Sequence, residues 1–257
     1  MLNFRNTNIF FALLLPALVA YRIYYGLPWY VFLVVLIVYS FILFYGSYFI
    51  QAGFYIKSIC NVDTNKKEIA ISFDDGPASE YTEEVLNILR ENNIKAAFFC
   101  IGNRVAKNES LLKTIHEQGH VIGNHSFSHA TWFDLFSSRK MLEDMKMMDE
   151  TVKSVTGLTP KFFRPPYGVT NPNLKKAIVR GKYISIGWNI RSLDTVIKDE
   201  NRLFQKVTSA LKPGSIILFH DTSQTTLKML PAFIKHVSEK GYTVTRLDKM
   251  LNLNPYV

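Results

Sequence analysis

The stretch Glu68 to Pro77, EIAISFDDGP, decides the fold of this chain, because it joins a buried strand to two adjacent carboxylates. The apolar run before the aspartates predicts a strand that is buried on both faces, as in a parallel sheet. The Gly-Pro pair that closes the stretch ends the strand and turns the chain. Asp74 and Asp75 are therefore predicted to lie side by side at the carboxyl end of this strand. The alternative is an Asp-Gly turn whose aspartates only cap a following helix.

An alternation of predicted strands and helices continues from this stretch to the C-terminus. Further strands are predicted by apolar runs at 96–101, 121–123, 162–163, 183–188, 215–219 and 242–246. Seven strands that alternate with helices, without an internal repeat, predict an α/β fold, a distorted parallel (β/α)7-type barrel. No glycine-rich phosphate loop opens a predicted helix, which argues against a nucleotide-binding fold.

The N-terminal region has a different composition from the remainder of the chain. It contains no acidic residue and only two basic ones, Arg5 and Arg22, although the whole chain carries a net charge of +9. An apolar and aromatic run at about 29–50 is long enough to cross a bilayer as a helix. A shorter segment at about 9–25 predicts a second membrane helix, with a signal-peptide core as the alternative.

These features predict three parts: a membrane anchor over residues 1–56, a linker over 57–67 and a catalytic domain over 68–257. Membrane lipid is the expected partner of the anchor. The basic excess suits a domain near anionic lipid or an acidic glycan. No basic run is dense enough to predict a nucleic-acid partner. Cys60 and Cys100 lie in such different surroundings that a disulfide framework is not expected.

Polar residues follow the predicted strands at the positions where barrels of this kind carry reacting groups. In chain order they are Asp74, Asp75, His125, His129, Arg164, Asp194, His220 and Asp221. The four-residue spacing of His125 and His129 can direct both rings at one metal ion, although such pairs also occur by chance on many helices. Together with Asp75 from another strand end, the pair predicts an open divalent-metal site.

Five ordered motifs within residues 66–250 resemble those of the polysaccharide deacetylases, the NodB-homology enzymes of carbohydrate esterase family four. The motifs read SFDDGP, NHSFSH, RPPYG, SLD and LFH. The resemblance implies that Asp75, His125 and His129 bind a divalent metal, which is usually zinc. It also implies a hydrolase that acts on the N-acetyl groups of a polysaccharide.

The resemblance further implies roles for the other motif residues. Asp74 would be the general base, and His220 would be the general acid that protonates the leaving amine. Arg164 would hold Asp74 in place, and Asp194 would in turn orient Arg164. The backbone N–H of Tyr167 would stabilise the tetrahedral oxyanion.

The fourth motif departs from the family pattern, which commonly reads Asp-x-x-Asp-Trp. This chain has Arg191 in place of the first aspartate and Thr195 in place of the tryptophan. That tryptophan normally helps to enclose the acetyl methyl group beside the leucine equivalent to Leu218. We expect Trp188 or Phe219 to fill the space, and a wider pocket is the alternative.

Together, the anchor and the motifs predict a membrane-anchored, metal-dependent deacetylase of an N-acetylhexosamine-containing polysaccharide, either peptidoglycan or an exported glycan. Deacylation of a lipid-linked sugar is an alternative with the same chemistry. An inactive glycan-binding relative is the alternative from another class, and the complete motif set argues against it. If both segments span the membrane, the sparse charges favour a cytoplasmic domain. The expected substrates favour an extracytoplasmic domain, which we predict.

Overall fold

A computed structural model describes residues 2–78 and 80–257 of the chain. It begins with two helices, α1 (Phe4–Tyr25) and α2 (Tyr30–Tyr48), which are long and apolar enough to cross a bilayer. The first helix begins earlier than the predicted residue 9, because the Asn3 side chain caps it by accepting a hydrogen bond from the backbone N–H of Asn6.

The two helices pack against each other as a hairpin. The hydroxyl of Tyr39 in α2 donates to Asn8 Oδ1 in α1 at 2.7 Å, and the rings of Tyr39 and Phe11 lie 4.8 Å apart. At the base of the hairpin, the backbone N–H of Phe4 donates to the carbonyl of Phe54 at 3.1 Å. The start of the first helix and the end of the second therefore lie on the same side, next to the catalytic domain.

In the described part of the chain, eight parallel strands form one sheet. They are β1 (Glu68–Asp74), β2 (Ala97–Cys100), β3 (Val121–Asn124), β4 (Phe162–Phe163), β5 (Ile184–Ser185), β6 (Ile190–Arg191), β7 (Ile216–His220) and β8 (Thr243–Val244). Seven of them lie in the order β5-β4-β3-β2-β1-β7-β6, and β8 pairs with β1. The predicted first strand is therefore the centre of the sheet, which explains its almost complete burial.

The predicted strand at 183–188 is wrong in its extent. Only Ile184–Ser185 is a strand within it, and Ile190–Arg191 forms a separate strand at the opposite edge of the sheet. Five residue steps between Ser185 and Ile190 can span at most about 17 Å, so the two edges must lie close together. The sheet therefore curves on itself, and the predicted distorted parallel α/β barrel is confirmed.

Helices pack against the curved sheet. They are α3 (Thr82–Glu91), α4 (Gly102–Val105), α5 (Glu109–Glu117), α6 (Ser138–Thr156), α7 (Pro172–Gly181), α8 (Glu200–Ser209), α9 (Gln224–Glu239) and α10 (Leu247–Leu251). Single 3-10 turns lie at Ile50–Ala52, Phe133–Leu135 and Pro166–Gly168. Met141, Met145 and Met148 of α6 are buried, as their helical spacing predicts, whereas Met147 is exposed.

Alternate residues of β1 face opposite sides of the sheet. The odd-numbered side chains from Ile69 to Phe73 pack against helices α3, α5 and α9, whereas Ala70 packs with side chains of the other strands inside the barrel. Because side chains alternate along a strand, Ser72 and Asp74 continue the inner face. This periodicity places the Asp74 carboxylate at the mouth of the barrel.

Residues 57–67, predicted as a linker, contribute to the barrel instead. Ile59 forms a parallel bridge with Ile186, and Asn61 forms an antiparallel bridge with Ser215. The N-terminal helices are therefore attached directly to the barrel.

Candidate active site

Arg164 is completely buried after β4 and forms an ion pair with Asp74. Its Nη1 donates to Asp74 Oδ1 at 2.6 Å and to Ser72 Oγ at 2.9 Å. Its Nε and Nη2 donate to the backbone carbonyls of Ile186 and Gly187 at 3.3 and 2.9 Å. Burial lowers the pKa of Arg164, whereas the Asp74 charge and hydrogen bond raise it. All three guanidinium nitrogens are thus hydrogen-bonded, and this fixes the orientation of the Asp74 carboxylate.

Asp75, His125 and His129 bring three metal-ligand atoms together. Asp75 Oδ1 lies 3.6 Å from His125 Nε2 and 3.4 Å from His129 Nε2. Ligands at zinc-bond lengths in a tetrahedral site are separated by roughly 3.3–3.6 Å, so this donor set fits such an ion. The Nδ1–H of His125 donates to the Arg164 carbonyl at 2.8 Å, which leaves its Nε2 lone pair toward Asp75. Burial and the nearby His125 lower the pKa of His129 to about 4, so its ring is neutral at pH 7.

A loop after β3, and not a helical turn, brings the two histidines together. Ser126 and His129 have φ angles of 67° and 45°, and the His129 N–H donates to Ser126 Oγ at 3.0 Å. Asp144 of α6 accepts hydrogen bonds from the backbone N–H groups of Phe127 and Ser128 at 2.7 and 3.3 Å. Both histidine rings are therefore positioned by a loop, and hydrogen bonds to α6 hold that loop in place.

His220, at the end of β7, is bonded to Asp194. Its Nδ1–H donates to Asp194 Oδ1 at 2.7 Å, and its backbone N–H donates to Asp194 Oδ2 at 2.7 Å. The hydroxyls of Ser192 and Thr226 also donate to this carboxylate. The prediction that Asp194 orients Arg164 is wrong, because the pairing of β6 with β7 places Asp194 beside His220.

The charge of His220 depends on this carboxylate. Burial lowers the pKa of His220, but the hydrogen bond and charge of Asp194, with the charges of Asp74 and Asp75, raise it to about 9. His220 is therefore protonated at neutral pH. Since Asp194 occupies Nδ1, the proton on Nε2 is the one that can be donated elsewhere.

The acid–base groups and the metal triad line one cavity of about 220 Å³ at the carboxyl ends of the strands. The predicted pocket residues Trp188, Thr195 and Leu218 also line it, as does Tyr167. Tyr167 has a left-handed backbone with φ 60°, and its ring lies 4.7 Å from that of His129. The structure thus places every predicted site residue at this cavity except Arg164 and Asp194, which contact the site through Asp74 and His220.

Of the two aromatic residues expected to fill the space of the missing tryptophan, Trp188 lines the cavity and Phe219 does not. Trp188 lines the cavity beside Thr195, whereas Phe219 packs against Phe73 in the core beneath the helices. A Cβ atom at Gly168 would lie 2.5 Å from the Trp188 ring, so a glycine lets the indole lie against the RPPYG loop. Of the two candidates, Trp188 is therefore the one placed to contact a ligand in the cavity.

Asp221 is a site-supporting residue to which the sequence assigned no role. It is completely buried after β7, and its Oδ2 accepts a hydrogen bond from Thr82 Oγ1 at 2.7 Å. A Cβ atom at Gly76 would lie 2.0 Å from this oxygen, so only glycine fits the turn after the aspartates. Burial raises the pKa of Asp221 to about 7.

The alternative in which Asp74 and Asp75 only cap the following helix is wrong, because Tyr81 is the N-cap of α3.

Left-handed backbone conformations are concentrated around the cavity. They occur at the non-glycine residues Asp75, Ser126, His129, Tyr167 and Leu193. Such conformations cost of the order of 1 kcal/mol each and persist where the surrounding structure enforces them, commonly at functional sites. The rigid barrel therefore holds these loops in conformations that their sequences disfavour.

Comparison with known proteins relates this geometry to a family. The family model described as polysaccharide deacetylase matches residues 61–183. A peptidoglycan-N-acetylglucosamine deacetylase of Bacillus cereus is 32% identical over 190 residues, which cover 72% of this chain and 69% of that protein. The solved structure of the peptidoglycan N-acetylglucosamine deacetylase Bc1960 matches with a TM-score of 0.72 at 29% identity, covering 77% of this chain and 94% of that one.

A solved CE4-family pseudoenzyme from Bacillus anthracis is also similar. It matches with a TM-score of 0.70 at 26% identity, covering 76% of this chain and 68% of that one. An active enzyme and a pseudoenzyme therefore share this fold. The fold alone therefore does not determine activity, which depends on the side chains in the cavity.

Asp194→Asn should lower the pKa of His220. The substitution removes the nearest anion that raises this pKa, while the burial that lowers it remains, so the pKa should fall below its wild-type value of about 9. An NMR titration of the full-length protein with isotope-labelled histidine measures the change, with Thr226→Val as a milder control. An unchanged His220 pKa in Asp194→Asn would contradict the pairing.

Thr195→Trp should overcrowd the cavity, because Trp188 already supplies an indole beside Leu218. We expect acetate release from an acetylated glycan to fall about ten-fold, with Thr195→Ser as the control. A gain in acetate release without loss of thermal stability would show instead that the pocket is unfilled, and longer acyl groups would then be tested.

Proposed function

The chain belongs to the polysaccharide deacetylase family, and on that premise we propose that it is a metal-dependent N-deacetylase of an N-acetylhexosamine-containing polysaccharide, either peptidoglycan or an exported glycan. The observation that carries the proposal is the pairing of each acid–base group with a buried counter-ion beside a metal-ligand triad. Arg164 pairs with Asp74, and Asp194 pairs with His220. An inactive glycan-binding protein has no use for this arrangement.

The metal would be held by Asp75, His125 and His129, and zinc is the ion that best suits two imidazoles and one carboxylate. When bound, such an ion lowers the pKa of water and polarises the amide carbonyl. Asp74 and His220 line the same cavity, where Asp74 would accept a proton and His220 would donate one.

The reaction is the hydrolysis of an acetamide. Asp74, oriented by Arg164, takes a proton from the attacking water as its oxygen bonds to the carbonyl carbon. The backbone N–H of Tyr167 donates to the oxyanion that develops. The C–N bond then breaks as Nε2–H of His220 protonates the leaving nitrogen, while Asp194 holds the other ring nitrogen. The products are acetate and a free amine on the sugar.

The acetyl group would enter the cavity with its methyl group against Trp188 and Leu218. Both side chains are almost fully buried and pack together at the cavity wall. The cavity volume of about 220 Å³ accommodates an acetamido group.

We further propose that α1 and α2 span the membrane and that the catalytic domain is extracytoplasmic. The two helices expose most of their apolar side chains, which suits lipid contact. The Bacillus cereus relative is named for its action on peptidoglycan, a polymer outside the cytoplasmic membrane.

Purified full-length protein loaded with zinc should release acetate from N-acetylated glycans. Acetate is measured over a panel of peptidoglycan fragments and N-acetylated oligosaccharides, with the Asp74→Asn variant as the blank. Binding of these glycans without acetate release by the wild type would support the inactive, glycan-binding alternative.

His125→Ala and His129→Ala should each lose bound metal, because two remaining ligands hold an ion poorly. Asp74→Asn should retain the metal and lose activity by about 10²–10⁴-fold, as expected for a general base. Metal content per protein is measured after dialysis. Equal metal loss from Asp74→Asn and the histidine variants would show that the roles of the two aspartates are wrongly assigned.

Asn65→Cys should be labelled by a membrane-impermeant thiol reagent in intact spheroplasts, because the native cysteines are buried. Leu27→Cys, in the turn between the two helices, should be labelled only after lysis. The reverse pattern would place the catalytic domain in the cytoplasm.

A further inference from the structure

The membrane hairpin is attached to the face of the barrel that carries the active site. The backbone N–H of Thr170 donates to the carbonyl of Ser47 at 3.0 Å, and Ser47 Oγ donates back to the carbonyl of Thr170 at 2.8 Å. Ser47 belongs to the last turn of α2, and Thr170 lies only three residues after Tyr167 of the cavity. One wall of the cavity is therefore bonded to the end of a membrane helix.

A second wall of the cavity is held by the residues that follow α2. Ile50 is buried in a cluster with Trp188 and Leu218, both of which line the cavity. Ile50 follows the last residue of α2 by two positions, hence by at most about 7 Å. If α2 spans the membrane, this wall lies at the depth of the lipid headgroups.

Exposed apolar side chains extend the same face. Trp132 is 67% exposed and Leu135 is 70% exposed, in the loop that follows His129. This loop is tied to the anchored side, because the Asn171 side chain donates to the carbonyl of Asp134 at 2.6 Å. Exposed tryptophan and leucine side chains close to the end of a membrane helix are expected to enter the bilayer interface.

The cavity also carries a cation where the family pattern has an aspartate. Arg191 lines the cavity and lies 5.7 Å from the ring of Trp188. Within residues 2–78 and 80–257 it has no ion-pair partner. A guanidinium in such a position suits a phosphate group on the ligand.

We infer that the catalytic face lies against the bilayer and that its substrate is an N-acetylhexosamine carried on a membrane lipid through phosphate. Trp132 and Leu135 enter the lipid interface, the sugar enters the cavity from the membrane surface, and Arg191 binds the phosphate. This inference rests on the proposed N-deacetylase chemistry and takes the lipid-linked sugar, in place of a polysaccharide, as its substrate. A polymer distant from the membrane would not need the anchor to be bonded to the cavity walls.

The test compares two substrates for the full-length, zinc-loaded protein in phosphatidylcholine vesicles. One is polyprenyl-diphosphate-linked N-acetylglucosamine in the same vesicles, and the other is soluble tetra-N-acetylchitotetraose. We expect kcat/KM for acetate release to be at least ten-fold higher for the lipid-linked sugar. Equal or higher activity on the soluble glycan overturns the inference and leaves the deacetylase function standing. Acetate release from neither substrate overturns both.

Variants separate membrane docking from general damage. The double variant Trp132→Ser/Leu135→Ser should lose about ten-fold on the lipid-linked sugar and keep its activity on the soluble one. Met147→Ser, at another exposed apolar position on α6, is the matched control. Arg191→Gln should raise KM for the lipid-linked sugar about ten-fold, and Arg191→Lys should restore part of the loss. Wild-type behaviour of the double variant on both substrates overturns the docking of this face.

Brominated lipids provide a readout that is independent of activity. Because Trp29 lies at the start of α2, the comparison is made in a Trp29→Tyr background, in which Trp188 is the one other tryptophan. Brominated phosphatidylcholine should quench Trp132 fluorescence, so Trp29→Tyr should lose a larger fraction of its signal than Trp29→Tyr/Trp132→Tyr in the same vesicles. Equal fractional quenching of the two proteins would show that this loop lies away from the bilayer, which overturns the proposed orientation.

Discussion

The buried ion pair between Arg164 and Asp74 is the interaction on which the catalytic face depends. A charged group without solvent contact loses several kcal/mol of hydration, and the loss is offset only when its hydrogen bonds are made by the protein. The Arg164 guanidinium meets this condition with the Asp74 carboxylate, one hydroxyl and two backbone carbonyls. These acceptors come from the central strand β1 and from the connection after β5. The pair can therefore form only when the sheet has curved into a barrel.

The pair between His220 and Asp194 applies the same physics with the charges reversed. In the first pair the Arg164 guanidinium is buried and the Asp74 carboxylate lines the cavity. In the second pair the Asp194 carboxylate is buried and the His220 imidazolium lines the cavity. Two carboxylates in one small site thus acquire different roles from their surroundings. A base and an acid can then coexist on either side of one substrate at neutral pH.

The sequence predicted which residues form the site better than it predicted which of them pair with each other. The metal triad and the acid–base residues lie in short local motifs at strand ends, and such motifs are visible without a structure. The partner of Asp194 depends on the pairing of β6 with β7, which no local pattern encodes. The apolar run at 183–188 has the pattern of one strand. Gly187 within it packs closely against Cys60 and Ile50, which lie far from it in sequence, and no local pattern encodes such contacts. The integration of residues 57–67 was missed for the same reason.

Gly187 links the N-terminal helical hairpin to the ion pair between Arg164 and Asp74. A Cβ atom at this position would lie 3.3 Å from Ile50, which follows α2, and the Gly187 carbonyl accepts a hydrogen bond from Arg164 at 2.9 Å. Arg164 in turn orients Asp74, so three contacts separate the end of a helix suited to a membrane from the proposed general base. Packed interiors transmit displacements because they contain few voids. The end of α2 is therefore followed directly by residues that pack against the support of the proposed general base.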